Sequence, residues 1–254
     1  MKKLELIALE GIPLIEEGDN LVEIILTALE RNKISLSNGN VLVIAQKIVS
    51  KSEGRYASLN DIKPSQQAID LSRETDKDPK LVQLILNESK EVVRYRKGVI
   101  VVENILGLIH ANAGIDKSNI KSDSNNPRVL LLPLNPDKSA TEIRKELLKK
   151  TKKKVGIIIN DSSGRAWRNG IVGIAIGSSG AEVLSDLKGN LDLFGNTLEV
   201  TEVGKADEVA SAASLLMGQG KEALPVVVIK GLTESEDLNG AKALIRKPSE
   251  DLFR

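Results

Sequence analysis

The sequence predicts a mixed α/β (α+β) fold, and two observations carry this prediction. Short runs rich in valine and isoleucine have the length and composition of buried strands. Amphipathic helical patterns lie between some of these runs, without the strict alternation of a doubly wound parallel sheet. The predicted strands are residues 41–45, 98–103, 128–132, 155–159, 171–176, 197–203 and 225–230.

Two of the predicted helices are recognised by how they begin. Residues 20–31 open with Asn20, a favoured N-cap, and Glu23 follows three residues later, with apolar residues on one face. Residues 77–93 have Pro79 where a first helical turn tolerates proline. Both patterns predict helices that begin at these signals.

Two further helices are predicted in the second half of the chain. Residues 139–150 open with Ser139 and Glu142 at the spacing of a capping box. Residues 205–225 begin with a helical pattern that ends at Gly218, a suitable C-cap. That helix carries a face of small residues suited to close packing, namely Ala206, Ala210 and Ala213.

Composition excludes several classes of function. The 36 basic and 35 acidic residues nearly cancel, and aromatic residues make up 2%, so we expect no nucleic-acid partner. The chain has no cysteine and a single histidine, His110, which excludes thiolate chemistry and a multi-histidine metal site. No apolar segment reaches the roughly 20 residues that span a bilayer, so we expect a cytoplasmic protein without membrane contact.

Residues 160–180, "NDSSGRAWRNGIVGIAIGSSG", are the first candidate for chemistry. Asp161 follows an apolar strand, and with Ser162 it offers the hard oxygen ligands that Mg²⁺ or Mn²⁺ prefers. Arg165 and Arg168 can bind phosphate oxygens in a bidentate way. The alternative is an Asp-Ser turn with solvated arginines.

Residues 110–119, "HANAGIDKSN", are the second candidate. Asp116 is a second possible metal carboxylate, and Asn119 adds a side-chain oxygen after the tight turn that Gly114 permits. An Asx-turn is the simpler explanation of Asp116 taken alone. We expect His110 to be a structural histidine with satisfied hydrogen bonds.

Cations and a glycine-rich segment complete the candidates. Three cations are spaced by four residues, namely Lys47, Lys51 and Arg55. This spacing puts them on one side of a strand and nearly on one side of a helix. They could bind a phosphate or an acidic substrate, or they could simply be solvated. The segment after Gly218 could hold a nucleotide or simply stop a helix. The known nucleotide motifs are absent: G-x-x-x-x-G-K-[ST] does not occur, and "GIAIGSSG" has the wrong spacing for G-x-G-x-x-G.

Taken together, these segments resemble the coenzyme F-420-0:γ-glutamyl ligase (CofE) family. The similarity runs from about residue 8 to residue 232, in the order of the family. The matching segments include "GIPLIEEGD", "VLVIAQKIVSKSEGR", "NAGIDKSN", "LLPLNPDKSA", "VGIIINDSSGRAWRNGIVGIAIG", "DLFGNTLEVTEVGKADEVASAASLLMGQG" and "LPVVVIKGL". The combination is specific, although each segment alone would be weak.

The resemblance implies a GTP-dependent ligase. Such an enzyme joins L-glutamate to the carboxylate of the deazaflavin precursor coenzyme F-420-0 through an acyl phosphate, then adds a further glutamate by γ-linkage, releasing GDP and phosphate. It implies Mg²⁺ or Mn²⁺, with K⁺ as a further candidate ion, and a homodimer. It also implies a fold of its own kind, neither Rossmann, P-loop nor ATP-grasp, with residues 1–254 as one unit or two intertwined subdomains.

The resemblance also assigns residues. The implied metal ligands are Asp116, Asp161 and Ser162. The implied GTP contacts are Ile12, Pro13, Leu14, Ile15, Gln46, Lys47, Lys51, Asn119, Met217, Gly218, Gln219, Gly220, Lys221, Glu222, Ala223 and Leu224. Lys51 would contact the transferring phosphate, and Arg165 is our candidate for binding an acidic substrate or the transferring group.

One departure from the family keeps two alternatives open. Some members carry an acid where this chain has Gln219. The alternatives are a ligase of the same fold that acts on another acid or amino acid, and a nucleotide-binding protein without catalytic activity.

Overall fold

The computed structural model describes residues 2–123 and 125–252 and confirms a mixed α+β fold. The helices are α1 (Leu21–Arg31), α2 (Gln46–Ser52), α3 (Gln66–Thr75), α4 (Pro79–Asn87), α5 (Pro136–Thr151) and α6 (Lys205–Met217). The strands are β1 (Glu5–Ala8), β2 (Val41–Ala45), β3 (Tyr56–Ser58), β4 (Ser89–Arg96), β5 (Val99–Asn104), β6 (Ile109–Ala111), β7 (Arg128–Leu130), β8 (Gly156–Arg165), β9 (Arg168–Ser179), β10 (Ser185–Asp186), β11 (Glu202–Val203) and β12 (Val226–Lys230).

A five-stranded sheet with the order β1-β12-β2-β8-β9 forms the centre of the fold. The β2–β8 pair is parallel and the other neighbours are antiparallel. Valine and isoleucine fill these strands because both faces of the sheet are buried. Within the described residues, no helix is long and apolar enough to cross a membrane.

Helices cover both faces of this sheet. On one face, alternate residues of the strands pack with α1 and α5 around Ile25, Ile44 and Leu147. On the other face, the alanines of α6 let its backbone approach Val43 and Ile158 closely. The small-residue face predicted for α6 is therefore confirmed, since its three alanines are buried.

A third apolar cluster lies beside the sheet, between residues 57 and 131. Helices α3 and α4 pack against the sheet β4-β5-β6, with Ile85 and Ile100 fully buried between them. The two-stranded pair β3–β7 borders this cluster. Strand β6 lies against β8, so the segment after β6 reaches the polar part of the central sheet. Whether the chain is one unit or two intertwined subdomains stays a prediction.

Several predicted elements are wrong in their boundaries, among them one helix and one strand in the second half of the chain. The helix predicted from Ser139 begins at Pro136, because Asn135 caps it by accepting a hydrogen bond from the Lys138 N–H. The Ser139 hydroxyl instead donates to Glu53 Oε1, with the Asn135 carbonyl oxygen as a more distant acceptor at 3.1 Å. The strand predicted over residues 197–203 is reduced to Glu202–Val203, since only these two residues find a partner strand.

The segment 77–93 contains a helix and the start of a strand. Helix α4 begins at Pro79 as predicted and is capped by Asp78, but it ends at Asn87. The residues that follow pair with β5 as β4. The apolar residues near the end of the segment fit a helical pattern, but they form a strand because they pair with β5.

Gly173 is expected to be essential for the packing of α6 on β9. A Cβ atom at this position would lie 2.6 Å from the Ala210 carbonyl oxygen and 2.5 Å from Asn160 Oδ1. Gly173→Ala should therefore lower the free energy of unfolding by about 1–3 kcal/mol, measured by denaturant titration. Gly164→Ala is the control, because a Cβ there meets no atom within 4 Å. Equal stability of both variants would contradict the close packing.

Candidate active site

Asp161 lies inside a strand, whereas we had predicted that it follows one. Strand β8 continues to Arg165 and forms a hairpin with β9, in which Asp161 pairs with Ile174. The predicted loop is therefore wrong, because polar side chains are tolerated where the hairpin leaves the core. A register shift after Ile159 marks a bulge, and such bulges redirect side chains next to functional sites.

Asp116 is held by a short backbone ladder and by polar partners from α2. Its N–H and carbonyl both bond to Leu130 of β7, at 2.9 and 3.0 Å. The Gln46 amide donates to Asp116 Oδ2 at 2.7 Å, and Lys47 Nζ lies 3.3 Å from Oδ1. Both partners come from the first turn of α2, which follows β2 directly. Asp116 is thus a positioned carboxylate rather than the acceptor of a local Asx-turn.

The two carboxylates influence each other electrostatically. Burial and then the negative charge of Asp116 raise the pKa of Asp161 to about 7, although the Ser162 N–H donates to its Oδ1 at 2.8 Å. Burial also raises the pKa of Asp116, even though Lys47 lies beside it. Burial is the main cause of both shifts, and a cation bound between the two acids would favour their charged forms.

Lys51 lies one helical turn beyond Lys47 and connects α2 to the segment after Asp116. Its Nζ donates to the Asn119 carbonyl at 2.7 Å, and the Asn119 amide donates to the Gly220 carbonyl at 3.2 Å. Burial, and then the charge of Lys47, lower the pKa of Lys51. Its ammonium is therefore held where a negatively charged ligand would be favoured.

The segment after α6 closes the other side of the site. Helix α6 ends at Gly218, which has a positive φ of 69°. The Ser162 hydroxyl donates to Gln219 Oε1 at 3.0 Å, and the Gly220 N–H donates to Glu222 Oε2 at 2.7 Å. These contacts join the β8–β9 hairpin to the segment that follows α6.

All of these segments line one groove of about 1720 Å³. The structure thus brings together residues that are far apart in the sequence. Every residue predicted to bind metal or nucleotide lines the groove except Glu222. Those in the groove are Ile12, Pro13, Leu14, Ile15, Gln46, Lys47, Lys51, Asp116, Asn119, Asp161, Ser162, Met217, Gly218, Gln219, Gly220, Lys221, Ala223 and Leu224.

Comparison with known proteins gives the family. Residues 11–231 match the family described as F420-0:Gamma-glutamyl ligase. The chain belongs to this ligase family. It is 43% identical over 253 residues to the "Coenzyme F420:L-glutamate ligase" of Methanothermobacter thermautotrophicus, a match that covers 99% of each chain. It is 45% identical over 255 residues to the protein of the same name from Methanocaldococcus jannaschii, covering 100% of this chain and 98% of the relative.

Two arginines of the predicted site lie outside the groove of this ligase. Arg165 is exposed at the tip of the β8–β9 hairpin, where its Nη2 donates to the Asn169 carbonyl at 3.3 Å. Its role in substrate binding stays a prediction. Arg55 was expected to share a face with Lys47 and Lys51, but it donates to the Leu132 carbonyl and Glu88 instead. That prediction is wrong because α2 ends at Ser52 and the chain turns before Arg55.

The prediction of a satisfied structural histidine is also wrong for His110. Its side chain is 4% exposed, and within residues 2–123 and 125–252 neither ring nitrogen has a hydrogen-bond partner. His110 Nε2 lies 3.7 Å from Asp161 Oδ2, which exceeds hydrogen-bond length. Burial lowers the pKa of His110 to about 4, so the imidazole is neutral at pH 7. Its being the only histidine of the chain was the one feature of the sequence that could have marked it as part of the site.

The reasoning from sequence missed Tyr56, Asn160 and Arg128, although all three line the groove of the ligase. Asn160 precedes Asp161, and its buried Oδ1 has no partner among the described residues. The Arg128 guanidinium lies over the Tyr56 ring, 4.1 Å from its centroid. Arg128 entered only as the first residue of a predicted strand, and Tyr56 stood within no recognisable pattern.

A divalent ion would find a small set of oxygen ligands in this ligase. In the part of the chain that the structure describes, no three histidine, aspartate or glutamate side chains cluster as a complete metal site. Asp116, Asp161 and the Ser162 hydroxyl nevertheless suit Mg²⁺ or Mn²⁺, since Mg²⁺ usually takes one or two carboxylates and completes its shell with water and phosphate. The chemistry of these ligands therefore fits the implied metal.

Proposed function

We propose that this chain uses GTP to add L-glutamate to the carboxylate of coenzyme F-420-0 and then adds a further glutamate by γ-linkage. One observation carries the proposal: two carboxylates that interact electrostatically and two lysines line the same groove as the segments expected to hold the nucleotide. Membership of the F420-0:Gamma-glutamyl ligase family supports the glutamate and coenzyme substrates.

The chemistry of amide formation explains why this groove would need such residues. A carboxylate is a poor electrophile, so its oxygen must first become a leaving group. Transfer of the γ-phosphoryl group of GTP to the acceptor carboxylate gives an acyl phosphate and GDP. The glutamate amine then displaces phosphate, forming the amide bond and losing a proton.

The residues of the chain would mainly position charge during this transfer. Lys47 and Lys51 project from one face of α2 into the groove and would bind phosphate oxygens. Asp116, Asp161 and Ser162 would hold Mg²⁺ or Mn²⁺, which offsets the negative charge of the phosphates. The segment from Met217 to Leu224 would enclose the nucleotide on the side of α6.

Mass spectrometry tests the proposed reaction directly. The pure protein is incubated with coenzyme F-420-0, GTP, Mg²⁺ or Mn²⁺ and L-glutamate. We expect products heavier by one and then two glutamyl units, together with GDP and phosphate. Bound nucleotide without any product would favour a silent nucleotide-binding protein, and products only with another amino acid or acid would favour a ligase of different specificity.

We also propose that the nucleotide is GTP rather than ATP, a choice that rests on the family resemblance. A calorimetric titration in which both nucleotides compete decides this point. Equal or tighter binding of ATP would contradict it.

We further propose a homodimer. Apolar side chains at two loop tips support it, because Trp167 is 89% exposed, Leu193 98% and Phe194 90%. Large exposed apolar groups grouped on projecting segments are typical of contact surfaces. Light scattering at micromolar concentration should give twice the mass of the chain, and a monomer mass would contradict the proposal.

A further inference from the structure

The groove extends beyond the residues expected to bind the nucleotide. Its volume of about 1720 Å³ exceeds the roughly 300–1,000 Å³ of a pocket for one small molecule. Tyr56 and Arg128 line the part that continues from Asp116, and both are half-buried. A ligase that joins two acids must accommodate both of them beside the nucleotide.

The backbone places this part of the groove at a defined separation from Asp116. Leu130 pairs with Tyr56 on one side and with Asp116 on the other. Residues directly paired across antiparallel strands project to the same face, and Arg128, two residues before Leu130, shares that face. Two strand spacings put Tyr56 about 10 Å from Asp116, measured between Cα atoms. Leu130 itself is buried, but Asp116, Tyr56 and Arg128 all line the groove, so one substrate molecule could contact both ends of this part.

The Arg128 guanidinium lies over the Tyr56 ring, 4.1 Å from its centroid. Among residues 2–123 and 125–252, no carboxylate forms an ion pair with it. The ring stacks on the planar guanidinium, whose N–H groups donate no hydrogen bond within the described part of the chain. Arginine binds carboxylate and phosphate oxygens in a bidentate way, so an anionic group is the chemistry that suits it.

We propose that Arg128, positioned by Tyr56, binds a non-reacting oxyanion, a carboxylate or phosphate group, of one of the two acidic substrates. This inference rests on the proposed function and assigns a substrate subsite within the same groove. The sequence had suggested Arg165 for binding an acidic substrate. Arg165 does not line the groove and Arg128 does, so the proposal gives this role to Arg128. The reacting carboxylate would then lie at the Asp116 end, and the bound oxyanion at the other.

Steady-state kinetics of Arg128→Gln tests this subsite. The KM of either glutamate or the coenzyme precursor should rise roughly 10- to 100-fold, as expected for loss of a charge-assisted hydrogen bond. The turnover number at saturation and the KM of GTP should stay near those of the unmodified protein. The substrate whose KM rises identifies the source of the oxyanion.

Companion variants separate binding from folding. Arg128→Lys should recover only part of the affinity, because lysine lacks the planar fork. Tyr56→Leu, which removes the ring beside the guanidinium, should raise the same KM as Arg128→Gln. Arg96→Gln, an exposed arginine on β4 outside the groove, is the matched control.

Two outcomes would overturn the inference while leaving the proposed function intact. In the first, an active enzyme keeps the KM of both acidic substrates in Arg128→Gln. In the second, only the KM of GTP rises, which would make Arg128 a nucleotide contact. If Arg128→Gln does not fold, Arg128→Lys decides between the same outcomes. If the unmodified protein shows no ligation, the proposed function fails first, and this inference fails with it.

Discussion

Replacing Asp161 by asparagine should lower the turnover number of the ligase by about 1,000-fold or more, because phosphoryl transfer depends on charge neutralisation. Asparagine keeps the shape of the side chain but removes the charge that would hold a cation beside Asp116. Asp116→Asn should have the same effect. The rate of glutamate addition with saturating GTP and Mg²⁺ or Mn²⁺ measures both.

The same variants should keep or raise thermal stability in the absence of metal. Burial and the charge of Asp116 raise the pKa of Asp161 to about 7, so the folded protein is destabilised by the charged form. In the unfolded chain the pKa is about 4, and the destabilisation therefore develops as pH rises from about 4 to 7 and is complete above that range. The gain in melting temperature from Asp161→Asn should be larger at pH 8 than at pH 5, measured with a chelator present.

A purely structural role for these acids gives the opposite pattern. Loss of a hydrogen-bond acceptor would lower stability by about 1 kcal/mol, and activity would follow stability. Asp192→Asn is a matched control, since Asp192 accepts the backbone N–H groups of Phe194 and Asn196 in a loop outside the groove. Near-normal turnover with lowered melting temperatures for Asp116→Asn and Asp161→Asn would contradict the metal site.

Replacing Lys51 by methionine should lower the turnover number by about 100- to 1,000-fold, comparable to the loss of one preorganised charge at a reacting group. Lys51 donates to the Asn119 carbonyl inside the groove, and a phosphate would be a stronger acceptor for the same ammonium. Methionine keeps most of the apolar stem and removes the charge. Single-turnover measurement of GDP release tests the phosphoryl step itself.

The competing explanation is that Lys51 only ties α2 to the segment around Asn119. Under that explanation, Lys51→Met would reduce the melting temperature and leave GDP release unchanged in the folded fraction. Lys149→Met, an exposed lysine near the end of α5, controls for the loss of a surface charge. Lys51→Arg keeps the charge and should retain more activity than Lys51→Met if the phosphate contact is correct.

Most of the helices and strands, and most of the residues assigned to the candidate site, were predictable from the sequence. Strands such as Val41–Ala45, and the helix starts at Asn20 and Pro79, depend on side chains and caps within a few residues of one another. Nearly all of the residues that the family motifs predicted for metal and nucleotide line the groove. Such signals are readable because capping, propensity and motif spacing act over short stretches of chain.

How those residues are arranged around the groove depends on strand pairing between distant segments. The pairing of Asp161 with Ile174, and of Leu130 with both Asp116 and Tyr56, is set by long-range hydrogen bonds between strands. These pairings excluded Arg165 from the groove and brought in Arg128, which no local pattern had indicated. A strand's register depends on its partner, and a shift of one residue turns each side chain to the opposite face. That dependence on distant partners is why the subsite at Arg128 could not be read from the sequence.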